Sequence, residues 1–175
     1  MRHERCHNPG GFTILELAVV IAIIAVISVS ALPAFDQVRA SRQGAARGEV
    51  LSLLRSARTH ATALGDPCGL WVDASSGLLQ LVTVPPGGTT QALLDALGAP
   101  EPKINLGLVY PGAQIASVTL PDGGAGPGVI WFGNTGTPEL RDADGAYAGP
   151  ARVDAEIVVQ GQTGIRVDRL TGQIR

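Results

Sequence analysis

Charge of either sign is scarce in this chain. Lys and Arg total 13 and Asp and Glu 15 in 175 residues, leaving a formal net charge of −2. So near-neutral a balance excludes nucleic-acid binding through bulk charge alone. Aromatic residues are only 4% of the chain, whereas Gly (23) and Pro (12) are abundant, a mix that suits a loop-rich β domain better than a compact helical one. Cysteine is limited to Cys6 and Cys68. If the first eleven residues are removed, Cys68 has no partner in its own chain, and no intramolecular disulfide is expected even in an oxidising compartment. Histidine is limited to His3, His7 and His60. A Cys68–His60 dyad lacks an orienting third group, so a buried thiol and a surface imidazole are the simpler reading. No catalytic constellation, cofactor or metal is indicated.

What the chain does have is a concentrated apolar run. Much of the hydrophobic content lies between Phe12 and Phe35, and Leu17 to Ala34 carries no charge. A run of roughly 18 or more apolar residues is long enough to span a bilayer as a helix. A short polar segment with Arg2 and Arg5 precedes it. Three readings compete. A secretory signal peptide would have Val29-Ser30-Ala31 as its cleavage site. A plain membrane anchor would need no cleavage. Both leave Glu16 without a role, although a carboxylate inside a membrane helix costs roughly 2.5–3.5 kcal/mol on insertion scales and so has a partner and a purpose.

The third reading supplies both. Gly10-Gly11-Phe12-Thr13-Ile14-Leu15-Glu16 resembles the prepilin processing motif of the type IV pilin-like superfamily. The resemblance implies a prepilin peptidase that cuts between Gly11 and Phe12, N-methylation of Phe12, and a glutamate five residues into the mature chain. Gly11 has no side chain to obstruct the scissile bond. Glu16 would be neutralised by the freed α-amine of a neighbouring subunit's Phe12, because a low-dielectric bundle does not tolerate one bare charge. That pair would fix the axial stagger of subunits, as a buried polar residue fixes coiled-coil register. One feature opposes the implied topology. Arg39, Arg42 and Arg47 follow the span, and a positive-inside count would keep that side in the cytoplasm. The motif is the more specific signal and places the C-terminal side in the periplasm.

The periodicity continues the helix to about Leu64. Val38, Val50, Leu51, Leu54, Ala57, Ala61 and Leu64 recur at near-helical spacing, with Arg39, Arg42, Arg47, Arg55 and Arg58 on much of the remaining surface. Gly65 is the expected C-cap, and Pro67 forbids continuation. Pro33 removes a backbone hydrogen bond and is expected to kink the helix or leave it breakable. The pilin resemblance implies stretching of the helix there. Gly44 and Gly48 either allow close helix packing or simply weaken the helix.

Beyond Gly65 the period changes. Cys68–Asp73 and Leu78–Val84 flank Ala74-Ser75-Ser76-Gly77 as a hairpin. A short helical patch is expected at Gln91–Leu97, and strands at Ile104–Tyr110, Gln114–Leu120 and Val129–Phe132. Ala155–Val159 and Gly164–Val167 form a closing hairpin. The expected fold is therefore α+β, with a long N-terminal helix, its first half membrane-spanning, packed on an antiparallel β-sheet. This layout is pilin-like. It divides the chain into a leader (1–11), a transmembrane or filament-core helix (12–34), a periplasmic continuation of the helix (35–64) and a β-rich globular domain (65–175).

The soluble half narrows the resemblance. Arg55-Ser56-Ala57-Arg58 leads into Cys68-Gly69-Leu70-Trp71-Val72. Ile130-Trp131-Phe132-Gly133-Asn134-Thr135-Gly136 and the ending Gly164-Ile165-Arg166-Val167 with Thr171-Gly172-Gln173-Ile174-Arg175 follow. These resemble the GspH/FimT group of minor pilins and pseudopilins. The resemblance implies a non-enzymatic subunit of a type IV pilus or a type II secretion system. Its partners would be prepilin peptidase, other pilins or pseudopilins and inner-membrane lipid, and it would be single-pass in the inner membrane until assembled into a filament.

The alternative is a DNA-binding minor pilin acting in natural transformation. Arg166, Arg169 and Arg175 are the candidate DNA contacts, and Arg152 could join them. However, the group's basic motif has arginine where this chain has Gln173, and Asp154, Glu156 and Asp168 would weaken such a patch. Asp142-Ala143-Asp144-Gly145 lacks the later ligands of a calcium loop and reads as a turn. Gly123 to Gly128 lacks the Lys-Ser/Thr of a phosphate loop.

Overall fold

The structure, a computed structural model, describes residues 13–175, with the side chains of all but 29–35. Helix α1 (Ile14–Leu64) opens the chain. It belongs to two compact units, one ending at Val38 and the other running from Arg39 to Arg175.

In the first unit the helix starts at Thr13, whose hydroxyl accepts the Glu16 backbone N–H at 3.2 Å. Thr13-Ile14-Leu15-Glu16 thus has the spacing of a capping box, in which a threonine satisfies one of the orphan N–H groups of the first turn. Every described side chain from Thr13 to Ser28 is exposed, although most are apolar. Of the described residues, no helix is long and apolar enough to cross a membrane. The apolar run itself continues into 29–35, whose side chains lie outside the description. α1 remains helical through position 33. The kink expected at Pro33, the leader and the Gly11–Phe12 bond all involve residues or side chains outside the described set.

In the second unit α1 buries one face. Ala46, Val50, Leu54, Ala57 and Ala61 are fully buried, at steps of three and four residues. Val38 and Leu64, expected on that face, are exposed at 49% and 58%. The helix stops where the sequence indicates. Gly65 adopts φ 76°, and its N–H bonds the Ala61 carbonyl at 3.1 Å, a left-handed C-terminal cap.

Among the described residues ten strands follow, all antiparallel as expected, in two sheets. The larger contains β1 (Cys68–Asp73), β2 (Leu78–Thr83), β3 (Gln91–Ala92), β4 (Ile104–Asn105), β6 (Gly128–Phe132), β7 (Pro138–Arg141) and β8 (Tyr147–Pro150). Its order is β3-β2-β1-β6-β7-β8, with β4 also on β2. The smaller contains β5 (Ile115–Thr119), β9 (Ala155–Val159) and β10 (Ile165–Val167), in the order β10-β9-β5. Leu70, Val72, Leu79, Ile130 and Phe132 from one sheet and Ile157, Val159, Ile165 and Val167 from the other join the buried face of α1 in one core. Each such aliphatic side chain contributes about 1.5–3 kcal/mol by leaving water.

The β1–β2 hairpin has the expected bounds within a residue. Its turn is held by Asp73, whose carboxylate accepts the Ser75 N–H and the Ser75 and Ser76 hydroxyls, and Gly77 takes φ 67°. Two expectations are corrected. Gln91–Leu97 is not helical: Gln91 and Ala92 pair with Thr83 and Val82, and Asp95 accepts the Leu97 and Ala99 N–H groups in a side-chain turn that competes with helix. Ile104–Tyr110 is not one strand: β4 ends after two residues, and Asn105 caps the single helical turn α2 (Leu106–Val109) by accepting the Leu108 N–H at 3.1 Å.

Candidate functional site

Two places carry the residues singled out from the sequence. The first is the start of α1. Glu16 is the sole ionisable residue between Phe12 and Phe35. It stands in the first turn of the helix, exposed, among exposed Ile14, Leu15, Leu17 and Val19. A carboxylate in the first turn is favoured by the helix dipole. The arrangement performs no bond-making chemistry: it offers one charge on an otherwise apolar rod.

The second place is the C-terminal segment, which returns along β10. Arg166 and Arg175 exchange backbone hydrogen bonds of 3.1 and 3.0 Å, so their side chains are brought to one site. Acids come with them. Arg166 lies 3.7 Å from Glu156, and Asp154 and Asp168 line the same depression as Arg166, Gln173 and Arg175. Arg175 is turned onto Gln173 Oε1, which its Nε and Nη2 bond at 3.3 and 3.0 Å. Arg169 is spent elsewhere: its Nη1 donates to the Arg152 carbonyl at 3.0 Å, and its backbone N–H to Asp154. The Asp168 carboxyl is held below the usual carboxylate range by the backbone N–H and hydroxyl of Thr171, helped by the Leu170 N–H, and fixes this loop.

The glycines and aromatics of the soluble-half motifs prove to be architectural. Trp131 lies over Gly69, where a Cβ would come within 2.9 Å of the indole. Gly136 (φ 75°) and Gly172 (φ 65°) meet backbone to backbone, and a Cβ on Gly172 would run into the Gly136 carbonyl oxygen. Arg58 seals this junction. Its Nε donates to Gly136 O and its Nη2 to Thr171 O, both at 3.1 Å. Arg58 thereby ties the β6–β7 turn and the C-terminal loop to α1. Nothing in helical spacing distinguishes Arg58 from the surface arginines, because two loops distant in sequence end over one position.

Cys68 is buried, as expected, and among the described residues it is a free cysteine. Its Sγ–H points at Thr83 Oγ1 (3.4 Å), which in turn donates to the Pro67 carbonyl at 3.0 Å. Burial pushes the thiol pKa up, against the opposing Thr83 bond. The thiol is committed to Thr83 rather than to His60. Asp142 caps a turn by accepting the Asp144 and Ala146 N–H groups. Among the described residues no three acidic, histidine or cysteine side chains gather to hold a metal ion.

Comparison with known proteins bears on both ends of the chain. Residues 6–32 match the family model described as the prokaryotic N-terminal methylation motif. The fold resembles a structure of the minor pseudopilin EpsH from the Type 2 Secretion System of Vibrio cholerae (TM-score 0.52, 13% identity, covering 77% of this chain and 94% of that one). A second EpsH crystal structure from the same system matches at TM-score 0.48 and 13% identity, covering 80% of this chain and 92% of that one. No curated protein matches the sequence. Motif and fold together support the type IV pilin-like, GspH-type resemblance read from the residues.

Proposed function

We propose, from a methylation motif joined to a minor-pseudopilin fold, that this chain is a non-enzymatic filament subunit, a minor pilin or pseudopilin of a type IV pilus or a type II secretion system. In this reading prepilin peptidase cuts Gly11–Phe12 and Phe12 is methylated on its new amine. The segment 12–34 first spans the inner membrane, with the β-rich part in the periplasm, and then enters the filament core. The helix over 35–64 and the domain 65–175 stay outside the lipid, and Pro33 is where the helix yields as subunits pack.

The observation that carries the reading is Glu16, one carboxylate on an apolar helix within the segment that matches the N-terminal methylation motif. In hydrocarbon it is costly unless paired. The α-amine of a neighbouring subunit's Phe12 is the partner that processing creates, and pairing sets the stagger between subunits. The mass of the mature chain tests this directly. The expected N-terminus is a methylated Phe12; one at Leu32, left by cleavage behind Ala31, with soluble release, overturns it in favour of a secretory signal.

A second reading, DNA binding in uptake, rests on Arg166 and Arg175 lying on adjoining backbone. Glu156, Asp154 and Asp168 oppose it by lowering the local potential. Gel shifts at low salt decide: a shift abolished by Arg166→Ala with Arg175→Ala supports it, and no shift excludes it.

A further inference from the structure

The outer face of the larger sheet, opposite α1, carries a cleft of about 370 Å³ that the filament reading does not use. Its floor holds both tryptophans of the chain, Trp71 on β1 and Trp131 on β6. The β7–β8 turn bends over this face until Gly145 packs on Val84 and Thr90 of the β2–β3 connection, where a Cβ would lie 2.5 and 3.0 Å from their side chains. One wall is a nearly buried ion pair, with Arg141 Nε 2.6 Å from Glu139 Oε1, and Arg141 also donates through Nη1 to the Gly145 carbonyl. That pair is neutral as a unit.

The remaining charges are acidic. Asp122 and Asp142 stand exposed on the lining, and neither forms an ion pair among the described residues. Each uses one oxygen to cap its own turn, accepting from Gly124, or from Asp144 and Ala146. The chain itself shows what the aromatic surface accepts: the Lys103 ammonium stands over the Trp71 ring, 5.9 Å from its centroid. An indole face and carboxylates together favour a cation. The volume accommodates a side chain with a short length of backbone, not a folded domain.

We infer that this cleft binds an extended basic segment of a partner protein, whose Lys or Arg side chain is held by Trp71 and the carboxylates of Asp122 and Asp142, with Lys103 as the intramolecular competitor. The site stands apart from the filament reading, and the N-terminus of the mature chain neither supports nor weakens it.

Because both tryptophans line the cleft, intrinsic fluorescence of the full-length chain in detergent micelles reports occupancy without a label. Titration with tetralysine should give a saturable change that weakens as salt rises, while tetraglutamine and tetraglutamate give none. Asp122→Asn with Asp142→Asn should weaken tetralysine binding by about tenfold. Asn keeps the oxygen that caps each turn, so the loops are retained, and an unchanged near-ultraviolet circular dichroism spectrum verifies this. Neutralising Asp66 and Asp95, outside the cleft, should leave binding unchanged. Lys103→Ala should tighten binding, an effect that a purely structural lysine would not produce. No saturable change, an equal response to tetraglutamine, or equal weakening by Asp66→Asn with Asp95→Asn overturns the inference.

Discussion

Between Thr13 and Ser28, α1 leaves every side chain exposed, and nearly all are apolar. Between Ala46 and Ala61 the same helix hides Ala46, Val50, Leu54, Ala57 and Ala61 completely and turns arginines such as Arg55 to solvent. The first stretch is apolar all round, and the second is amphipathic. Chain physics distinguishes them: an amphipathic helix is completed by its own domain, whereas a helix that is apolar on every side must be completed by something else, lipid or other helices. Burial in the second stretch is a property of this chain, and burial in the first would be a property of an assembly.

Substitutions can break that contrast, and the largest effect is expected at Glu16. Glu16→Ala should abolish incorporation into filaments while leaving the melting temperature of the β-rich part unchanged. Filament fractions and thermal melts of the same variant check both halves of this statement. Normal incorporation would remove the proposed register role.

Leu54→Ala should do the reverse. It should destabilise by about 2–5 kcal/mol, since Leu54 is fully buried between helix and sheets. Urea unfolding is the measurement, and Leu17→Ala, at an exposed position of the first stretch, should shift the midpoint negligibly.

Arg58→Ala should cost about 1.5–3 kcal/mol, the range for hydrogen bonds to a charged group, because two carbonyls lose their donor. Hydrogen exchange should localise the loosening to the β6–β7 turn and the C-terminal loop. Gly172→Ala should loosen the same two segments by a different route, through a strained positive φ and a collision with Gly136.

The smallest effect concerns acid. The Ser75 and Ser76 hydroxyls hold the Asp73 carboxyl at a pKa of about 2, below its ordinary value. A depressed carboxylate contributes stability above its unfolded pKa and loses it as pH falls through the folded one. The β1–β2 turn should therefore keep its hydrogen bonds from neutral pH down to about 2, and Asp73→Asn should remove that dependence. Side-chain NMR titration of Asp73 is the check.

Much of the β-rich part could be read in advance because local chemistry agreed with tertiary pairing. Ala74-Ser75-Ser76-Gly77 between β-branched and aliphatic runs marks the first hairpin, and the closing hairpin of β9 and β10 follows the same logic. The parts that could not be read lie where pairing overrode propensity. Pro138–Arg141 and Tyr147–Pro150 contain Pro, Gly and Ala, poor strand formers, yet become β7 on the edge of β6 and β8 on the edge of β7. At Ile104–Tyr110 the reverse occurs: good strand formers are interrupted because Asn105 caps a helical turn.

At the candidate sites, Glu16 was visible without any structure, since one charge in an apolar run stands out in one dimension. The Arg58 junction and the tryptophan cleft were not, because they join positions 78 and 113 residues apart in the first case and β1 with β6 and the β7–β8 turn in the second.

The sequence by itself determined the helix, its stopping point at Gly65, the lone carboxylate and the change to strand period, because each depends on neighbours within a few residues. Only the tertiary structure decided that the strands divide into two sheets, that Arg58 is a clamp, that Arg166 and Arg175 share their depression with carboxylates, and that the tryptophans line one cleft. Those outcomes depend on which distant segments pair, and pairing is selected by the burial of a common core rather than by any local signal.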